Sequence, residues 1–331
     1  MEVNNNIKLI RNNRLSREIV FADGIGSSGK GMLSQILASF ERIEKQRNDM
    51  MFDTIPRFHS LGKISDDAAI VAMQTEADQQ LYHTMISRDI NFRFGDSTSV
   101  LNNPFPLRYF KRAFGPEGDS IIKLINDTNP ILNEAPHDAL KNAELFFNTF
   151  NKELKIIYIL RNPIEVIHDW ERRGFGHRIG TDPREFQFSY EYNNLIVPLY
   201  AMGWEDEYHS ATTIDRNIMM IHYHYYKNIE SYNNLSDDNK EQVMFILFDD
   251  LVGNPIPVCS QMANFLGTKK TYWTKKILKM NNCPRIINNN SLEIKYKEII
   301  SAASKEKIDI LDIMIKDYEQ LSNKYVIKDN T

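Results

Sequence analysis

Ten residues concentrate the chemistry of the amino-terminal third: Gly24-Ile25-Gly26-Ser27-Ser28-Gly29-Lys30-Gly31-Met32-Leu33. A short apolar run, Arg17-Glu18-Ile19-Val20-Phe21, comes just before them. A strand, a glycine-rich turn and a helix start make an anion site. Backbone N–H groups point at the ligand there, and the helix dipole favours negative charge. Gly24 to Lys30 fits the spacing G-x-x-x-x-G-K, in which the lysine reaches phosphate oxygens. The hydroxyl that holds magnesium in nucleotide triphosphatases is missing, because residue 31 is Gly and residue 32 is Met. That weakens a nucleotide-triphosphatase reading of the loop.

The second informative stretch is Leu154–Trp170, LKIIYILRNPIEVIHDW. Its apolar run reads as a strand buried on both faces. It delivers Arg161 at its carboxyl end, where open α/β sheets bind ligands. Arginine there can pair a phosphate, or close a salt bridge at the start of the next helix.

With these residues in view, the chain resembles the sulfotransferases that use 3′-phosphoadenosine 5′-phosphosulfate (PAPS). Residues 156–170 are similar to that family's 3′-phosphate segment, and residues 24–33 lie where it keeps the 5′-phosphosulfate loop. Ser120–Asn126, SIIKLIN, resembles an intermediate strand. Residues 245–267 resemble a late strand, an Asp-Asp-Leu element and a helix ending in Phe-Leu-Gly. The resemblance spans residues 18–267. It implies a P-loop NTPase-like sulfotransferase architecture: an α/β fold with a central, mostly parallel sheet flanked by helices. It also implies PAPS as donor, no metal, and donor contacts from Gly26, Ser27, Ser28, Gly29, Lys30, Gly31, Met32, Arg161, Asp169 and Arg285. Three positions depart from the family pattern. The loop lysine is displaced by three residues to Lys30. Asp169 stands where the family has a serine on the 3′-phosphate. Arg285 is the substitute for a carboxyl-terminal Arg-Lys-Gly element. A carboxylate beside a phosphate needs a proton or a cation, and His168, Arg172, Arg173, His177 and Arg178 lie close in sequence.

Sulfuryl transfer to a hydroxyl needs a base and a cation for the leaving phosphate. Lys30 is the cation expected. His59 and Asp127 are the candidate bases, each read as following a strand. The acceptor implied is a sugar or another small molecule. Two other readings remain open: an ATP-dependent small-molecule kinase, and a non-catalytic nucleotide- or glycan-binding protein on the same scaffold. Two further stretches have bland explanations. Residues 221–232, IHYHYYKNIESY, place His222 and Tyr226 on one helix face, as core packing would. Residues 171–178, ERRGFGHR, form either a basic lid or a solvated charge run.

The elements that position these residues are read from periodicity. Strands are expected at Glu18–Ala22, Met50–Ile55, Ser120–Asn126, Leu154–Leu160 and Val243–Phe248. Helices are expected from Lys30 to Gln46, from Asp66 to Ser87, over His137–Phe150, from Pro163, over Pro255–Leu266 and over Lys305–Lys324. Residues 91–118 read as loop, and 185–235 as helices broken near Gly203. Alternating strands and helices imply one domain over 1–331, with a helical insertion around 170–235. The chain has 331 residues, a net charge of −4 and 42% hydrophobic residues. That composition is globular and argues against coating nucleic acid. Two cysteines, Cys259 and Cys283, read as free thiols. No stretch has the length of a membrane span, so a cytoplasmic location is expected.

Overall fold

The computed structural model describes residues 7–287 and 289–326. Four parallel strands form the central sheet: β1 (Ile19–Asp23), β2 (Leu132–Glu134), β3 (Leu154–Leu160) and, after a surface hairpin, β6 (Val243–Leu247). Their order across the sheet is β2-β1-β3-β6. Ile19 pairs with Leu132 on one side and Leu154 on the other, so β1 is central. The hairpin strands are β4 (Ser189–Tyr192) and β5 (Leu195–Pro198), which pair antiparallel.

The longer helices are, in order, α1 (Lys30–Leu37), α2 (Met51–Ser60), α3 (Asp66–Met85), α4 (Pro106–Arg112), α5 (Asp119–Thr128) and α6 (Ala143–Phe150). They continue with α7 (Pro163–Arg173), α8 (Thr213–Asn234), α9 (Phe248–Gly253) and α10 (Pro255–Leu266). The last three are α11 (Tyr272–Met280), α12 (Asn289–Ala302) and α13 (Lys305–Tyr325).

Strand alternation divides the core. Ile19 and Phe21 face one layer, where the Phe21 ring meets Phe52, Phe146 and Phe150 edge-on. Val20 and Ala22 face the other, against Leu33, Ile36 and Leu37 of α1 and Val258 and Met262 of α10. A third cluster joins α7, α8 and α13 through Ile167, Trp170, Ile221 and Leu311. Both faces of the sheet are covered, as all-parallel sheets require.

Several expected elements take another form. Met50–Ile55 is not a strand: residues 51–60 are helical, with Pro56 inside. Phe52 and Ile55, three apart, bury one helix face against the β1 layer. Ser120–Asn126 is also helical. Ile121 and Ile125, four apart, are its buried residues, while Ile122 and Leu124 stay exposed. The helix expected to reach Gln46 ends at Leu37. The chain then runs beside β2 in parallel bridges, Ile43 to Ile131 and Arg47 to Glu134. Helix α6 begins at Ala143, after a 3-10 turn at Leu140–Asn142, rather than at His137. Residues 91–118 contain α4, and the first part of 185–235 is the β4–β5 hairpin. Among the described residues no helix is long and apolar enough to cross a membrane.

Candidate active site

The loop after β1 is shaped by its glycines. Gly24 has φ +153°, and a Cβ there would lie 2.4 Å from Ser28 Oγ and 2.8 Å from the Ile159 carbonyl oxygen. Gly29 has φ +103°, and its Cβ would lie 2.7 Å from the Phe248 ring. Only glycine fits either place without displacing a neighbour. The Ser28 N–H donates to Ile25 O at 2.9 Å and closes the turn. Gly29 is also the N-cap of α1 and offers no capping side chain. The N–H groups of the first turn are thereby left for a ligand.

Lys30 opens α1 and donates from Nζ to Pro136 O at 2.9 Å. That carbonyl belongs to the chain just leaving β2. Burial pulls the Lys30 ammonium below its ordinary pKa, and Asp23, Asp53 and Asp138 oppose that fall. Asp23 ends β1, accepts the Leu140 N–H at 2.7 Å and keeps Oδ1 without a partner. Burial raises its carboxyl, against Lys30.

Beside Lys30 stands a histidine–carboxylate pair. The buried Asp53 of α2 accepts the His137 backbone N–H at 2.7 Å, and its other oxygen lies 2.8 Å from His137 Nδ1. The imidazole is thus held at Nδ1, with Nε2 left for other work. Asp138, the next residue, lies 3.2 Å from Arg57 Nη2 and 3.3 Å from His224 Nδ1. Burial would raise the Asp138 carboxyl, but Lys141, His224 and Arg57 outweigh it and hold it well below the usual range.

Arg161, at the end of β3, donates to the Ser27 carbonyl at 2.6 Å. Its Nη2 reaches Glu165 at 3.0 Å, and its buried Nε has no partner. The guanidinium lies 4.3 Å from the centre of the Phe248 ring, and that of Arg285 lies 5.9 Å from the same ring. Arg161, Arg285 and Lys295 line one cleft of about 240 Å³. Arg285 also touches Met32 Sδ at 3.7 Å. These residues suit a phosphorylated nucleotide: an uncapped helix start, an unpartnered guanidinium nitrogen and an aromatic ring, brought together through Ser27 and Gly29.

A family model described as "Sulfotransferase domain" matches residues 134–301. The chain belongs to the sulfotransferase domain family. The matched segment begins at the end of β2 and includes Arg161 and Asp169. The fold is the α/β arrangement of that family, a parallel sheet flanked by helices. Among solved structures, the sulfotransferase domain of the curacin biosynthetic pathway is 14% identical, with a TM-score of 0.49, covering 91% of this chain and 98% of that one. The sulfotransferase domain of the Synechococcus PCC 7002 olefin synthase is 11% identical, with a TM-score of 0.45, covering 96% and 98%. A sulfotransferase from Alicyclobacillus acidocaldarius is 15% identical, with a TM-score of 0.37, covering 92% and 99%. No curated protein matches the sequence.

In this sulfotransferase, Gly26, Ser27, Ser28, Gly29, Lys30, Gly31 and Met32 form the turn and helix start, and Arg161 joins them through Ser27. Trp170 Nε1 donates to Gly26 O at 2.8 Å and braces the loop from α7. Asp169 is not a bare charge. Burial would raise its carboxyl, but Ser27, Arg172 and Arg173 bring it below its ordinary value. Arg172 lies 2.9 Å away and Arg173 3.7 Å, and Arg173 also donates to Ser27 Oγ at 3.1 Å.

The two candidate bases lie in helices, not after strands. His59 is on α2 with Nε2 2.8 Å from Asp66, and lines a cleft with Lys141 and Glu144. Asp127 is exposed on α5, which packs against α3. The charged groups that act most on Lys30 are Asp23, Asp53, Asp138 and Arg57. His137 is the residue that sequence reasoning missed. Its signal was the Pro136-His137-Asp138 run, but the short strand before it had no apolar pattern to announce it. The His222 ring packs tilted against Tyr226, 4.5 Å between centroids, as the packing explanation requires, while His224 of the same helix reaches Asp138. Among the described residues no group of three His, Cys, Asp or Glu side chains is arranged to hold a metal.

Proposed function

We propose that this protein transfers a sulfuryl group from PAPS to a hydroxyl of a sugar or another small molecule. The observation that carries the reading is the contact of Arg161 with Ser27 O at 2.6 Å. It joins the glycine-rich turn and the end of β3 into one anion-binding unit. Such a unit suits a nucleotide with phosphates at both 3′ and 5′ positions. The first-turn N–H groups of α1 would hold the 5′ end. Arg161 and Arg285 would hold the 3′-phosphate, with Phe248 beneath them. Arg172 and Arg173 neutralise Asp169, so its carboxylate does not repel that phosphate.

The donor supplies the sulfuryl group, whose sulfur–oxygen bond to the 5′-phosphate breaks as a bond to the acceptor oxygen forms. Lys30 places an ammonium at the loop and offsets charge on the leaving phosphate. His137, held at Nδ1 by Asp53, takes the acceptor proton at Nε2. This assigns to His137 the base role first sought at His59 or Asp127. The family assignment and the missing hydroxyl at residue 31 support sulfuryl transfer over magnesium-dependent phosphoryl transfer. Cys259 and Cys283 are free and buried, which supports a reducing, cytoplasmic setting.

The test is calorimetric binding of adenosine 3′,5′-bisphosphate, AMP and Mg·ATP. The bisphosphate is expected to bind most tightly, and Arg161→Ala to weaken it about 10- to 100-fold, the worth of a charged hydrogen bond. Preference for Mg·ATP, or equal affinity for AMP, would overturn the reading.

A further inference from the structure

The carboxyl edge of the sheet continues past β2. Residues 43–47 run parallel to it and end level with Glu134. Residues 45–49 therefore emerge on the same edge as the glycine-rich loop. With Asp89, Asn91 and Thr98 they wall a cleft of about 250 Å³. All eight lining residues are polar or charged, and none is aromatic.

The cleft holds unsatisfied hydrogen-bonding capacity. Gln46 is 3% exposed, and its Oε1 has no partner. Behind Asp49, Glu134 is fully buried. Its Oε2 accepts the Asp49 N–H at 3.3 Å, and its Oε1 has no partner. Buried acceptors left this way are costly unless a ligand or water meets them.

Two links tie the cleft to Lys30. Thr98 lines it, and the neighbouring Ser97 side chain lies 3.8 Å from where a Cβ on Gly31 would stand. On the other side, Glu134 is two residues before Pro136, whose carbonyl holds Lys30 Nζ. The cleft thus adjoins the first turn of α1 through Ser97, and through Glu134 the segment whose carbonyl holds Lys30.

The geometry points to this cleft as the acceptor subsite, and to a polyhydroxylated acceptor: a sugar or a sugar-like polyol. Its role as acceptor subsite rests on the sulfuryl-transfer reading above. Lys45 and Arg47 donate hydrogen bonds, Asp49 and Asp89 accept them, and Gln46 and Asn48 do both. Hydroxyls ranged around a pyranose ring meet such a mixed lining on all sides. A flat apolar phenol would leave the Gln46 amide oxygen unmet, and sites of this kind reject ligands that lack the matching polar groups.

The test uses ligand-observed NMR on the full chain, with and without adenosine 3′,5′-bisphosphate. The probes are D-glucose, D-glucosamine and N-acetyl-D-glucosamine, with 2-naphthol as the apolar control. At least one sugar is expected to bind, and 2-naphthol not to displace it. Gln46→Ala should weaken the sugar about five- to tenfold while bisphosphate affinity stays unchanged. Asn48→Ala, at an exposed position, should act in the same direction without disturbing the fold. Failure of all three sugars, or sugar binding untouched by both variants, would overturn the inference. If the sugars bind and the variants weaken them while the bisphosphate does not bind, the cleft's ligand class stands and the donor assignment falls.

Discussion

Lys30 and His137 meet through the chain that leaves β2: one is bonded to the carbonyl of Pro136, and the other follows it. Their roles separate on chemical grounds. Lys30 is an amine among three carboxylates, Asp23, Asp53 and Asp138, that oppose the lowering of its pKa by burial. His137 is an imidazole whose Nδ1 faces a buried carboxylate, which fixes the tautomer and leaves Nε2 as acceptor. Sulfate release from PAPS, with water as acceptor, reports the base without a known acceptor. His137→Gln is expected to slow it by about 10²–10⁴-fold, the usual worth of a positioned base. Bisphosphate affinity should be unchanged. Asp53→Asn should also slow release, because the carboxylate that holds the imidazole at Nδ1 is lost. A rate unchanged in His137→Gln would remove it from the mechanism.

At the scale of elements, the proposed donor site is a contact between the turn after β1 and the first residue of α9. Phe248 packs where a Cβ on Gly29 would stand, and both arginines lie over its ring. Gly29→Ala should therefore injure both stability and donor binding. The φ of +103° alone costs a side chain about 1–3 kcal/mol, and displacement of Phe248 adds to that. The matched control is Gly62→Ala. Gly62 has φ +64° and nothing within 4 Å, so its substitution carries the backbone cost alone. Thermal melts should rank Gly29→Ala below Gly62→Ala, and bisphosphate binding should fall only in the former. Equal losses in both would mean that the Phe248 contact is of no consequence. The same elements show what a sequence discloses. β1, β3 and β6 were legible because a strand covered on both faces is a continuous apolar run. The glycine turn was legible because positive φ and close approach leave few residue choices. Residues 51–60 and 119–128 were misread because a short apolar window fits either period, and only the packing of Phe52, Ile55, Ile121 and Ile125 decides it. β2 went unseen because two of its three residues are Asn133 and Glu134, buried through hydrogen bonds rather than by hydrophobicity. His137 went with it.

Across the whole molecule, the proposed donor site is assembled from segments far apart in the chain: residues 24–32, Arg161, Phe248 and Arg285. They come together only when the sheet has formed with β1 and β3 adjacent. The unfolded chain offers no such constellation, so a ligand that needs all of them binds the native state alone. Stabilisation then follows mass action, about 2.7 kcal/mol at a hundredfold excess over Kd. For a chain of this size that is a rise in Tm of roughly 4 °C. Adenosine 3′,5′-bisphosphate should produce it, and AMP at the same concentration should produce distinctly less, because it leaves Arg161 and Arg285 without an anion. In Arg161→Ala the two nucleotides should converge. If AMP raises Tm as much as the bisphosphate in the wild type, the cleft between β3 and α9 does not read the 3′-phosphate. The two arginines over Phe248 would then serve to brace the fold.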